Sequence, residues 1–192
     1  MGDYSSFNCS NLPPGFRFYP TDEELVVHFL QRKAALLPYH PDIIPDLDLY
    51  PHDPWDLSGK AMGEGNKWYF YSRRTQVRVT GSGYWQSLGV EEPIYSSEGS
   101  KVGMKKYSAF YIGEPAQGVK TNWMMEEYRL SDSAPTNNKA SRSRRNSKIN
   151  DYTKWVMCRV YENDDDDDGT ELSCLDEVFL SLDDLDEISL PD

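Results

Sequence analysis

At 192 residues, with 38% apolar and 13% aromatic content, the chain can build one cored domain plus a tail and is too apolar to be wholly disordered. Its net charge of −12 is unevenly placed: residues 1–161 carry all 20 Lys and Arg against 18 acids, and residues 162–192 carry the other 14 acids and no base. That excludes a uniformly acidic surface and leaves a near-neutral module, free to bear a basic face, with an acidic arm. Three scattered cysteines, Cys9, Cys158 and Cys174, lack metal-ligand spacing and point to a reducing compartment. With no signal peptide and no membrane-length apolar run, the expectation is a soluble intracellular protein without a membrane partner. A loose myristoylation pattern at Gly2 has no polybasic second signal behind it.

Residues 1–11 are small and polar and read as a flexible N-terminus. The stretch 12–37, LPPGFRFYPTDEELVVHFLQRKAALL, begins extended, because Pro13, Pro14 and Pro20 bar helix and Gly15 permits a sharp turn. Thr21 with Glu24 three residues on spells a capping box, with acids in the first helical turn. Leu25, Val26, Phe29, Leu30, Leu36 and Leu37 then recur at helical spacing and predict one buried face. Residues 38–54 are too proline-dense for helix; Ile43, Ile44, Leu47 and Leu49 offer short strand or loop contacts, and Trp55 and Leu57 pin the segment to the core.

From Lys67 the pattern becomes strands: KWYFYSR, GYWQSLGV, KVGMKKYSAFYIG, KTNWMMEEYRL and KWVMCRVY. They are short, aromatic or β-branched, and bounded by Gly, Ser and Asn, which predicts an antiparallel sheet. In the last, Trp155, Met157, Arg159 and Tyr161 share one face, and Val156, Cys158 and Val160 the other. Residues 131–150 form a polar loop carrying Lys139, Arg142, Arg144, Arg145 and Lys148. These spaced bases read either as a solvated linker or as a nuclear-import or phosphate-contact patch. The tail opens with five aspartates, residues 164–168, a run that stays disordered when alone. Beyond it Leu175, Val178, Phe179, Leu182 and Leu185 follow amphipathic spacing in an acidic background, suited to a partner's groove.

LPPGFRFYPTDEEL, DLDLYPHDPWDL, WYFYSRRTQVRVTGSGYW, VGMKKYSAFYIGEPAQGVKTNWMMEEYRL and WVMCRVYE together resemble, block by block over residues 12–162, the plant NAC-domain transcription regulators. The shortened central block and short acidic tail are similar to the xylem branch of that family. The resemblance implies an α+β fold: a twisted antiparallel β-sheet flanked by an N-terminal helix and short helices, with residues 163–192 as a disordered acidic regulatory tail. It also implies a dimer, promoter DNA as the partner, and a nuclear location.

In the family an Arg–Glu pair crosses the dimer two-fold, and the matching positions are Arg17 and Glu24; Glu24 is equally explained by its capping box. The dimer is expected with a second copy or with a family relative. A family strand of pattern WKATGKD enters the DNA major groove. Here it reads Trp85-Gln86-Ser87-Leu88-Gly89-Val90-Glu91-Glu92, with both lysines replaced and two acids following, so DNA contact is expected to be weaker or altered. Arg73, Arg74, Arg78, Lys101, Lys105, Lys106 and Lys120 are the bases expected to contact DNA, and the Gln86 amide could read adenine. In the tail, Leu172, Cys174, Asp176 and Glu177 nearly spell the LxCxE motif that binds retinoblastoma-type pocket proteins, and Phe179 and Leu182 extend that partner-binding segment. Ser173 and Ser181 each have an acid three residues on, the spacing an acid-directed kinase uses.

Two readings follow. One is a nuclear, dimeric, DNA-binding regulator that restrains a differentiation programme such as xylem or secondary-wall formation. The other is an antagonist that pairs with relatives and captures a pocket protein, with little DNA contact of its own. No nucleophile motif, phosphate loop or metal spacing is present in the sequence, so neither enzyme activity nor a cofactor is expected.

Overall fold

The computed structural model describes residues 15, 17–38, 42–48, 51–75, 78–131 and 154–163. Thr21 caps the helix as its sequence predicts. Its Oγ1 accepts from the Glu24 N–H at 3.2 Å, and Glu24 Oε2 accepts from the Thr21 N–H at 2.8 Å. Three consecutive pieces, Asp22–Glu24, Leu25–Leu30 and Gln31–Ala34, make one rod, α1, whose middle piece is wound as a π-helix. The wider turn places Leu25, Val26, Phe29 and Leu30 together on the buried side.

The rod stops at Ala34, because Leu36 turns left-handed (φ 55°) and Pro38 follows. Leu36 and Leu37 are therefore 82% and 53% exposed and do not continue the apolar face as the periodicity predicted. The left-handed residue turns the chain out of helical phase before either side chain can reach the core.

Six strands form one antiparallel sheet: β1 (Met62–Glu64), β2 (Lys67–Arg73), β3 (Gly83–Tyr95), β4 (Lys101–Ile112), β5 (Val119–Leu130) and β6 (Trp155–Glu162), in the order β1-β2-β6-β5-β4-β3. The five strand-like stretches of the sequence are β2 to β6; β1 is a three-residue addition. A single 3-10 turn, Pro54–Leu57, is the other helical element among the described residues. This is an α+β architecture with an N-terminal helix on one face of the sheet.

The alternation of β6 divides the core in two. Met157 joins Leu25, Val26, Phe29, Leu30, Tyr69 and Tyr128 beneath α1. Val156, Cys158 and Val160 join Leu57, Phe70, Trp85, Phe110 and Met125 on the far face. The Cys158 thiol is buried there, which pushes its pKa well up and leaves it unreactive.

The connection from β2 to β3 must cross the sheet, since those strands are separated by β6, β5 and β4. It leaves at Arg74, whose N–H donates to the Lys154 carbonyl, and docks onto β3 where the Trp85 N–H donates to the Arg78 carbonyl at 2.8 Å. Asp53 fixes its last part: it accepts from the Thr80 hydroxyl, from the Ser82 N–H at 3.1 Å and from the Ser82 hydroxyl at 2.7 Å. Burial would raise the Asp53 pKa, but these hydrogen bonds outweigh it and hold the carboxyl below its usual range. Gly83 follows because no side chain fits: a Cβ there would lie 1.9 Å from the Tyr111 carbonyl oxygen.

Candidate nucleic-acid interface

β3 is an edge strand, and its pairing with β4 breaks in the middle. Ser87 stands opposite Ser108 and Glu91 opposite Lys106, so residues 88–90 bulge outward against Tyr107 alone. Gly89 supplies the bulge's positive φ of 77°. The bulge sits at the stretch where the sequence departs most from the groove-strand pattern.

One row of the sheet runs through this region. Glu91 pairs with Lys106 and Lys106 with Glu127; in the next row Glu92 pairs with Lys105 and Lys105 with Tyr128. Because strand side chains alternate, each adjacent pair sends one member to either face.

Toward α1, the Glu92–Lys105–Tyr128 row closes into a network. The Lys105 ammonium lies 2.8 Å from Asp22 Oδ2 and 3.2 Å from Glu92 Oε2. Tyr107 donates to Glu92 at 2.8 Å, and Arg159 pairs with the buried Glu126. The Tyr128 hydroxyl lies 2.8 Å from both Asp22 Oδ1 and Glu126 Oε2 and donates to one of them. Burial would raise the Asp22 pKa, but the bonds from Lys105 and Tyr128 and the charges of Lys105 and Arg159 bring it below 3.8. Burial would lower the Lys105 pKa, but its bond to Asp22 and the surrounding charge raise it. Lys105 therefore stays charged and committed within the protein.

On the far face the Glu91–Lys106–Glu127 row opens into a groove of about 580 Å³ lined by Arg74, Thr75, Arg78, Ser87, Lys106, Glu127 and Arg129. Four of these are cations. Arg78 lies 2.8 Å from Glu127, and Arg129 lies 2.7 Å from Glu91. Among the described residues, Arg74 and Lys106 have no side-chain ion pair.

The structure thus brings together Arg74, Arg78 and Lys106 from the sequence-derived set and adds Arg129. Lys105 lies on the α1 face, one residue out of phase with Lys106. Gln86 is exposed on the edge strand opposite Ala109, so its side chain projects from the other face. Arg73 packs its guanidinium over the Trp155 ring at 4.1 Å, also on the α1 face. Lys101 and Lys120 are exposed at opposite ends of the sheet, ten residues apart in register, or about 33 Å.

Neither Glu91 nor Glu92 projects as a free negative charge: Glu91 is bonded to Arg129 of the groove, and Glu92 to Lys105 on the α1 face. Arg17 and Glu24 are both exposed beside the α1 N-terminus. Lys139, Arg142, Arg144, Arg145 and Lys148 lie outside the described residues, as do Leu172, Cys174, Asp176, Glu177, Phe179 and Leu182. Among the described residues no group of three or more His, Cys, Asp or Glu could hold a metal, and no helix is long and apolar enough to cross a membrane.

Residues 13–130 match the family model for No apical meristem (NAM) protein. The chain is 66% identical to NAC domain-containing protein 104 of Arabidopsis thaliana over 190 residues, covering 94% of this chain and all of that protein. It belongs to the NAC-domain family of plant transcription regulators. It is also 43% identical to NAC domain-containing protein 18 and 44% identical to NAC transcription factor 56, both from Arabidopsis thaliana, over 90% of this chain in each case. It spans 57% and 51% of those two proteins, so it equals the first relative in extent but only about half of the others. The NAC match covers α1 and β1 to β5 and includes every residue lining the groove.

Proposed function

We propose that this NAC protein is a nuclear regulator that contacts promoter DNA as a dimer, using the far-face groove and the bulged edge of β3. The observation that carries the reading is the convergence of Arg74, Arg78, Lys106 and Arg129 on one groove beside an open strand edge. Phosphate neutralisation supplies most nonspecific DNA affinity, and each cation engaged steepens the salt dependence by about 0.9. Gln86 projects from the face opposite the groove, but it stands on the exposed edge strand, where its amide can pair with adenine through donor and acceptor together. Arg17 and Glu24 form the dimer contact, with a second copy or with a NAC relative.

With Glu91 and Glu127 each engaging one of the four cations, binding is weaker than an unopposed groove would give. A weak dimeric DNA binder that pairs with stronger relatives restrains their programme, and differentiation of xylem or secondary wall is the programme we assign. The LxCxE-like tail segment is its route to a pocket-protein co-regulator.

The test is a salt-dependent gel shift of the full chain on a DNA pool selected with it, beside Glu91→Gln and the double variant Arg74→Ser, Lys106→Ser. The reading expects Glu91→Gln to tighten binding several-fold and to steepen the salt slope by about 0.9, as Arg129 is released. It expects the double variant to lose binding. Unchanged binding by the double variant, or salt-independent binding, would place the DNA contact elsewhere.

A further inference from the structure

We infer that the aspartate run of this chain, residues 164–168, docks in the far-face groove, so that the protein holds an internal competitor for the groove's DNA contacts. The competition with DNA rests on the reading above; the docking itself does not.

Three observations carry it. The first is charge: the groove gathers four cations against Glu91 and Glu127, an excess of two, and residues 164–192 hold 13 acids with no base. The second is position. The last described residue, Asn163, is tied by its N–H to the Asn122 carbonyl at 2.9 Å, next to Glu162, which pairs with Trp123 at the end of β6. Glu127 pairs with Cys158, four residues back along β6, or about 13 Å; Lys106 is one strand further, at about 4.8 Å per strand. The groove therefore lies within roughly 20 Å of the chain's exit, a span that about six extended residues cover. From Asn163 to Asp168 the chain extends about 17 Å, and the Asp and Lys106 side chains close the remainder, so the later aspartates of the run are the first charges to reach it.

The third is chemistry. Arg78 and Arg129 already donate to carboxylates, and a carboxylate can take two guanidinium N–H bonds at once. A row of carboxylates in extended chain presents charges at spacings similar to those of a nucleic-acid strand. Nonspecific polyanion contacts have dissociation constants of about 10⁻⁴ M, and a short tether supplies an effective concentration of about 1 mM. The docked run should then weaken DNA binding about tenfold.

Two measurements on the full chain test this. In the first, a spin label is placed on Cys174 in a Cys9→Ser background; the buried Cys158 is not labelled. Docking predicts selective broadening of the Ser87, Lys106, Glu127 and Arg129 amides at low salt, lost at about 0.5 M salt and in the Arg74→Ser, Lys106→Ser variant. Broadening that survives the groove variant, or that falls elsewhere on the domain, overturns the proposal without reference to DNA.

In the second, all five aspartates become Asn, beside a control in which Asp183, Asp184, Asp186, Glu187 and Asp192 become Asn or Gln. Docking predicts about tenfold tighter DNA binding for the first set and much less for the second. Equal gains would mean only general repulsion between tail and DNA, and would overturn it too. If neither set binds DNA while the broadening is present, the DNA reading fails and the docking stands.

Discussion

The two faces of the sheet hold the same kinds of residue and treat them oppositely. Glu92, Lys105 and Glu126 point toward α1, where Asp22, Tyr107, Tyr128 and Arg159 close every charge into a partner. Their sequence neighbours Glu91, Lys106 and Glu127 point to an open groove where cations outnumber acids. A lysine pair that looks like one basic motif is two different devices, divided by strand alternation. Charge on the helix side holds the fold together, and charge on the far side is available to a partner.

The largest expected effect comes from opening the closed face. Glu126→Ala leaves the part-buried Arg159 without its main carboxylate and should cost about 3–5 kcal/mol of stability in urea unfolding. Removing the two lysines one at a time sharpens the contrast. Lys105→Met removes the cation shared by Asp22 and Glu92 and should cost about 2–3 kcal/mol. Lys106→Ser should change stability by less than about 0.5 kcal/mol while lowering the salt slope of DNA binding by about 0.9. Equal stability losses for the two would deny the division.

Acid should act on the closed face as well. Asp22 has a folded pKa below its ordinary 3.8, so its stabilisation is complete above the unfolded value and disappears as pH falls through the folded one. The urea midpoint should hold steady from about pH 7 to 5 and drop below about pH 4, with a shallower drop in Asp22→Asn. A modest effect is expected at the edge: Gly89→Ala meets no neighbour within 4 Å, so only its positive φ is strained, at about 1 kcal/mol. Stability would fall only slightly, whereas the bulged β3 edge would change shape.

Much of this was legible where the local signal is strong. The Thr21 and Glu24 capping pair, the alternation of Trp155 to Glu162 and the boundaries of the aromatic strands follow from short-range chemistry. The missing parts depend on phase. Leu36 and Leu37 fit a helical period, but one left-handed residue rotates them out of it. The faces taken by Lys105 and Lys106 depend on which partners their strand meets across an irregular ladder, which spacing alone does not specify. Arg129 shares the face of Glu127 along β5, and that parity is the clue in the sequence to its place in the groove. A strand as short as Met62–Glu64, with glycine at its centre, carries too little pattern to be seen at all.

The sheet order has a consequence for how the protein is made. β6, the last of the six strands along the chain, sits between β2 and β5 in the interior of the sheet. Until residue 162 leaves the ribosome, β2 and β5 face each other across a missing strand, and Tyr69, Phe70, Met125 and Tyr128 have no β6 side chains to pack against. Completion of the fold waits on contacts some 90 residues apart in sequence, such as Tyr69 with Arg159. Such long-range pairing slows folding and prolongs the exposure of apolar strand edges. The nascent chain is thus a natural client for chaperones up to the moment its final strand slots into place.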